Sequence, residues 1–129
     1  MAAPLVEFLI DGPPVSQQAR RRSRVSDYTL EVRELAVAAY GRRLPFPELA
    51  RVEITILFAA SAGDVDNFAK PILDALKGVV LTDDGQVMDL LLRKRPLGAT
   101  PFTDPSDAML DRLAAGREFV HVSVLPFVL

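Results

Sequence analysis

Two short stretches of this chain concentrate side chains able to do chemistry. The first, Gly63-Asp64-Val65-Asp66-Asn67-Phe68-Ala69-Lys70-Pro71, sets two carboxylates two residues apart, with a lysine four residues further on. The second, Thr82-Asp83-Asp84-Gly85-Gln86-Val87, adds adjacent aspartates ahead of a glycine. In extended backbone, side chains two apart point to one face. Carboxylates that close stay ionised together only with water around them or a cation between them. A hard divalent ion accepts such a pair readily. With no cysteine and a single histidine in the chain, thiolate sites are excluded and tetrahedral zinc lacks donors. A metal here would be held by oxygen, which favours Mg²⁺, Mn²⁺ or Ca²⁺.

The same residues can serve structure alone. Asp66 is a natural helix N-cap, and Asp66 with Lys70 an ordinary helical pair contributing about 0.3–0.5 kcal/mol. Asp83-Asp84-Gly85 is also what a plain turn prefers. What separates the readings is whether two sequence-distant elements meet, since a site built on two rigid elements is held more tightly than one in a single loop.

The elements that must position these residues follow from local pattern. Val6 to Ile10 reads as a first strand, ended by Asp11-Gly12-Pro13-Pro14. Val15 to Arg24 is polar, basic and aperiodic, and reads as a loop. Ser26 or Asp27 can cap a helix running to Tyr40, with Gly41 as its stop. Arg51 to Ala60 is the clearest strand, Val52, Ile54, Ile56 and Phe58 alternating with Arg51, Glu53 and Thr55. A second helix covers about 67–77. Pro71 resists an interior helical site, so the regular helix is expected to begin near Lys70, with 66–69 as a looser lead-in. Phe68, Ile72, Ala75 and Leu76 would face the sheet, opposite a charged stripe of Asp66, Lys70, Asp74 and Lys77. Val79 to Leu81 is a short apolar piece, and a third strand spans Val87 to Arg95. A loop over 96–105, a short helix from Ser106 to Ala115 and a valine-rich strand from Glu118 to Leu125 complete the chain. The order β-α-β-α-β-α-β predicts one small α/β (α+β) domain over residues 1–129, a mixed sheet flanked by two or three helices. His121, on a β-branched strand, reads as packing or surface, and Phe127 with its apolar neighbours as sheet or subunit contact.

Half the 129 residues are apolar and a quarter charged, an ordinary balance for a folded domain. No apolar run is long enough to span a membrane. No basic region precedes an apolar stretch at the N-terminus, which predicts a cytoplasmic protein. The net charge of −2 conceals polarity. Gly12 to Arg51 carries +4, with eight arginines, whereas Asp64 to Asp89 carries −4. Such a chain has a candidate phosphate-facing half, centred on Arg20, Arg21, Arg22 and Arg24, and a candidate cation-binding half.

The pattern Asp64-x-Asp66-Asn67-x-x-Lys70-x-x-x-Asp74-Ala75-Leu76, followed after an interval by Asp83-Asp84-x-Gln86-Val87, resembles the signature of the RusA family of Holliday-junction resolvases. Its spacing over two separate elements is far more specific than a lone D-x-D. A strand followed by Pro13-Pro14 and a basic loop is similar too, and the likeness is expected to run from about Leu5 to Arg95 and to take in the last strand. The resemblance implies that Asp64, Asp66 and Asp84 bind metal and that Lys70 is the essential lysine. It implies a Mg²⁺-dependent endodeoxyribonuclease, with Mn²⁺ as a possible substitute, acting as a homodimer. The substrate would be branched DNA, four-way junctions cut by paired symmetric nicks that leave 5′-phosphates. Residues 96–116 depart from the pattern and read as an insertion with an extra helix. Two rival readings stand beside this one: a nuclease for other branched DNA such as flaps or forks, and a non-catalytic cation- or nucleic-acid-binding module. Simple cation binding has no use for Lys70, which weighs against the second.

Overall fold

The structure, a computed structural model, describes residues 3–60, 64–99 and 101–129. Gly63, which opens the first motif stretch, and Thr100, inside the expected insertion, lie outside the described residues. The elements are β1 (Val6–Asp11), α1 (Arg22–Tyr40), β2 (Ala50–Phe58), a 3₁₀ turn (Val65–Phe68), α2 (Ala69–Leu76), a second 3₁₀ turn (Asp84–Gln86), β3 (Val87–Pro96), α3 (Asp107–Ala115) and β4 (Phe119–Pro126). The strands form one mixed sheet in the order β1-β4-β2-β3. β4 runs antiparallel to both β1 and β2, whereas β2 and β3 are parallel, joined by the crossover that contains α2.

Alternation along the strands divides the molecule into layers. Val6, Phe8 and Ile10 of β1, Val120, Val122 and Val124 of β4, and Val52, Ile54 and Ile56 of β2 share one face and one core. That core is closed by Val25, Tyr28, Val32, Ala36 and Tyr40 of α1 and by Ala69, Ile72, Ala75 and Leu76 of α2. Each Val or Ile sealed this way contributes about 1.5–3 kcal/mol. The other face is more polar, and α3 covers only one end of it, where Met109 and Leu113 pack with Leu57 and Phe119. Arg112 fastens α3 to β1 through a 2.6 Å ion pair with Asp11. The expected third helix is present, with Ser106 capping the Met109 N–H and Gly116 in the left-handed conformation at its end.

One expectation fails. Arg22 and Arg24 are not in a loop: α1 begins at Arg22, four residues ahead of Ser26, and no side chain caps its start. The buried stripe explains the extra turn. Val25 is already part of the face continued by Tyr28 and Val32, so packing extends the helix upstream of the polar pair Ser26-Asp27, which lies exposed within it. Arginine is a good helix former and does not oppose this.

Candidate active site

The parallel strands β2 and β3 end side by side, Phe58 opposite Pro96. In α/β sheets the crevice beyond the carboxyl ends of such strands is where ligands bind. The 3₁₀ turn Val65–Phe68 lies beside β3 on the face of the sheet shared with α1 and α2. Phe68 is buried in the main core and Val65 packs against it, anchoring the turn while Asp64 and Asp66 remain exposed. Asp64 occupies the N-cap position of this turn, yet its side chain makes no capping bond; its carbonyl accepts the Asn67 N–H at 3.2 Å instead. Asp66 is not the helix N-cap that its spacing allowed: the cap positions of the turn and of α2 are Asp64 and Phe68.

α2 begins at Ala69, with Pro71 in its first turn, where a missing N–H costs nothing. The lead-in expected for 66–69 is thus a real 3₁₀ segment. Ile72, Ala75 and Leu76 face the core, which leaves Lys70 and Asp74 outward on adjacent turns. Lys70 Nζ is 2.5 Å from Asp74 Oδ1 and 4.0 Å from Asp84 Oδ2. Its pKa is raised chiefly by the hydrogen bond to Asp74, against slight desolvation, with the charges of Asp74 and Asp84 adding to it. At neutral pH Lys70 is accordingly a cation: it can donate to phosphate oxygens and cannot serve as a base. Sequence spacing placed Asp74 only on a charged stripe; the fold uses it to orient Lys70. Lys77 leaves that stripe at the helix end and pairs with Asp83 at 3.6 Å.

The second motif stretch is held by Gln86, a buried side chain whose amide is fully used. Its Oε1 accepts from the backbone N–H of Thr82 at 2.7 Å, from that of Asp83 at 2.8 Å and from the Thr82 hydroxyl. Its Nε2 donates to the carbonyls of Phe46 and Glu48 at 2.6 and 2.7 Å. The turn is thereby pinned to the connection ahead of β2. Asp83 closes the capping box by accepting the Gly85 N–H at 3.2 Å, and this bond first, then Lys77, holds its carboxyl below the usual range. A Cβ on Gly85 would stand 3.1 Å from Asp83 Oδ2, so glycine leaves room for that bond. Asp84, the next residue, is left with its carboxylate toward Lys70. The Asp83-x-x-Gln86 spacing carries the local half of this role, the capping box, but not the tie to Phe46 and Glu48, which lie about forty residues upstream.

The basic segment is tethered to the same place. Gln17 donates its N–H to the Asn67 carbonyl at 2.8 Å, and Arg22 Nη1 donates to the Gln17 carbonyl at 2.6 Å. The side chains of Arg20, Arg21 and Arg24 are exposed and make no hydrogen bond or ion pair among the described residues. Other arginines of the basic half serve the fold: Arg33 donates to the carbonyls of Asp74 and Ala75, and Arg43 stacks on Tyr40. His121 lies on the opposite face of the sheet, its Nε2 2.6 Å from Glu7 Oε1 and its ring edge-on to Phe102.

The model of the endodeoxyribonuclease RusA family matches residues 12–101, a span that contains both motif stretches and the basic segment. The chain belongs to the RusA family. β1 precedes the matched span and α3 and β4 follow it, so the RusA match contains the motif residues, α1, α2, β2 and β3 but neither β1 nor β4, and the likeness expected for the last strand lies outside it. No curated protein matches the chain. Family membership makes this an endodeoxyribonuclease of the Holliday-junction type, and no helix among the described residues is long and apolar enough to cross a membrane.

Whether the site suits a divalent ion can be judged from its donors. Among the described residues no three carboxylate or imidazole groups already form a cation cage, so Asp64, Asp66 and Asp84 are not closed around one point. Their chemistry nonetheless fits. All three are oxygen donors on exposed or half-exposed side chains, and among the described residues only Asp84 has a side-chain partner, the 4.0 Å contact with Lys70.

Proposed function

We propose that the chain is a Mg²⁺-dependent nuclease that resolves four-way DNA junctions, working as a homodimer. The observation that carries this reading is the 4.0 Å approach of Lys70 to Asp84, which joins the two motif stretches across the fold. Asp64, Asp66 and Asp84 would hold the ion, with side-chain rotation about the Lys70–Asp84 contact. Bound there, Mg²⁺ supplies charge neutralisation at phosphate oxygens and a more acidic water. Lys70, kept protonated by Asp74, donates to the scissile phosphate or its leaving oxygen, where charge accumulates. Gln86 keeps the Asp84 turn from drifting. A two-fold dimer presents two such sites to the two opposed strands of a junction.

The deciding experiment incubates the protein with labelled four-way junction, flap and linear duplex, with and without Mg²⁺. Paired symmetric nicks in the junction alone, dependent on the ion, are expected. Flaps cut as fast as junctions would make this a general branched-DNA nuclease, and absence of cleavage in Mg²⁺ and Mn²⁺ would leave only a binding module.

The Arg20 to Arg24 segment, tied to Asn67 through Gln17, is assigned to DNA phosphates. Changing Arg20, Arg21, Arg22 and Arg24 together to Gln is expected to weaken junction binding and flatten its salt dependence. Each lost phosphate contact lowers the log–log slope by about 0.9, so the four together remove up to about 3.6. An unchanged slope would show the cluster to be solvated surface only.

A further inference from the structure

The start of α1 and the end of β1 flank a cavity of about 420 Å³. One wall is the turn that ends β1, where the Gly12 N–H is fixed to the Glu118 carbonyl at 2.9 Å. The other is Arg24, Asp27, Tyr28 and Glu31, spaced i, i+3, i+4, i+7 along one face of α1, with Arg21 at the helix start. The side chains of Arg21, Arg24, Asp27 and Glu31 make no hydrogen bond or ion pair among the described residues. Tyr28 sets the cavity apart from plain surface. Its side chain belongs to the main core and only 5 % of the residue is exposed, yet its hydroxyl has no hydrogen-bond partner among the described residues. Buried hydroxyls are nearly always paired, because an unpaired one forfeits the hydrogen bonds it made to water. Burial first, and then the charge of Glu31, push its pKa up, so the hydroxyl keeps its proton at neutral pH. The cavity also lies where DNA must pass. β1 runs antiparallel to β4 and β4 antiparallel to β2, so Asp11 and Leu57 both pair with Phe119. The carboxyl end of β1 is therefore at the same end of the sheet as the crevice beyond Phe58 and Pro96. Val15 and Arg21 both line the cavity, and between them Gln17 is tied to Asn67 in the turn of Asp64 and Asp66.

We propose that this cavity receives an unpaired base of the bound DNA, read along its hydrogen-bonding edge, while Arg21 and Arg24 hold the adjoining phosphates. The lining favours a base over a phosphate alone. Asp27 and Glu31 only accept hydrogen bonds and would repel an anion drawn inside, whereas the amino and ring N–H groups of a base donate to them. The Tyr28 hydroxyl supplies the donor that a ring nitrogen or carbonyl oxygen of the same edge needs. Val15 adds an apolar surface, and two arginines in the same lining disfavour a metal ion. The volume lies within the roughly 300–1,000 Å³ of small-ligand sites. The assignment rests on the junction reading above, and its test separates the two.

Affinity is measured without cleavage, in EDTA, for two synthetic four-way junctions, one intact and one abasic at the nucleotides flanking its exchange point. Stacking is interrupted there, so a base leaves its partner at least cost. One lost hydrogen bond is worth roughly a 2- to 12-fold change in Kd. Tyr28→Phe should therefore weaken binding of the intact junction by that factor and bind the abasic junction as the wild type does. Glu31→Ala should lower the preference for the intact over the abasic junction by a similar factor. The melting temperature of Tyr28→Phe should match or exceed that of the wild type, because the hydroxyl removed has no partner in the fold. Equal loss on both junctions would place the hydroxyl on the DNA backbone. An unchanged Kd for the intact junction would leave the cavity without a base, and a lower melting temperature would make the hydroxyl structural. Each of these overturns the assignment. A wild type that binds junctions but never cuts them in Mg²⁺ would instead defeat the nuclease reading, while the two affinities still report on the cavity.

Discussion

Asp66→Asn is expected to lose Mg²⁺-dependent cleavage by more than about 100-fold while folding normally. The scale follows from metal sites generally: removing a group that merely orients a ligand costs 10- to 100-fold, so removing a ligand's charge costs at least the upper figure. The fold should be indifferent, because Asp66 is exposed in the 3₁₀ turn and no hydrogen bond of its side chain holds the turn. Phe68 and Val65 do that by burial. Asparagine keeps the size of aspartate and relieves repulsion with Asp64, so the metal-free melting temperature should stay level or rise. A second measurement is independent of activity. Mg²⁺ at saturating concentration should raise the melting temperature of the wild type by binding the folded state alone, and should raise that of Asp66→Asn far less. Robust cleavage by the variant in Mg²⁺ would remove Asp66 from the chemistry.

What could be read from the sequence was local, and what could not was long-range. Pro71 foretold the change from 3₁₀ turn to α2, since a missing N–H restricts where a regular helix can begin. The alternation of Val52, Ile54 and Ile56 foretold the buried face of β2. The start of α1 was misplaced because Ser26 and Asp27 look like caps, whereas burial of Val25 against the core decided the matter. Strand order was illegible for the same reason: β4 inserts between β1 and β2 through pairings remote in sequence, such as Val6 with Val124 and Leu57 with Phe119, and no local signal encodes them. The candidate site divides likewise. Its carboxylates and Lys70 stand out by spacing, but the work of Asp74 and Gln86 appears only when α2 and the second turn are seen together with the 46–48 connection.

Adjacent aspartates in one turn should fail in different ways, Asp84→Asn in catalysis and Asp83→Asn in stability. The turn itself makes the distinction. Asp83 is in extended conformation at the cap position, with its carboxylate engaged by the Gly85 N–H and by Lys77. Asp84 begins the 3₁₀ turn, and its carboxylate is the one within 4.0 Å of Lys70 on α2. Gln86 enforces this division, because its Oε1 accepts from the Asp83 N–H and so fixes where each side chain leaves the backbone. Asp84→Asn should therefore lose Mg²⁺-dependent cleavage on the scale of Asp66→Asn, with little change in melting temperature, since no structural bond of the turn depends on its carboxylate. Asp83→Asn should retain substantial activity, because asparagine caps a turn almost as well as aspartate and only the charge component of the Gly85 and Lys77 contacts is lost. A small fall in melting temperature is its expected signature. Kinetics and melting curves for the two variants, with a Mn²⁺-soaked crystal structure, decide the matter: a metal ion coordinated by Asp83, with Asp84 turned to solvent, would reverse the assignment.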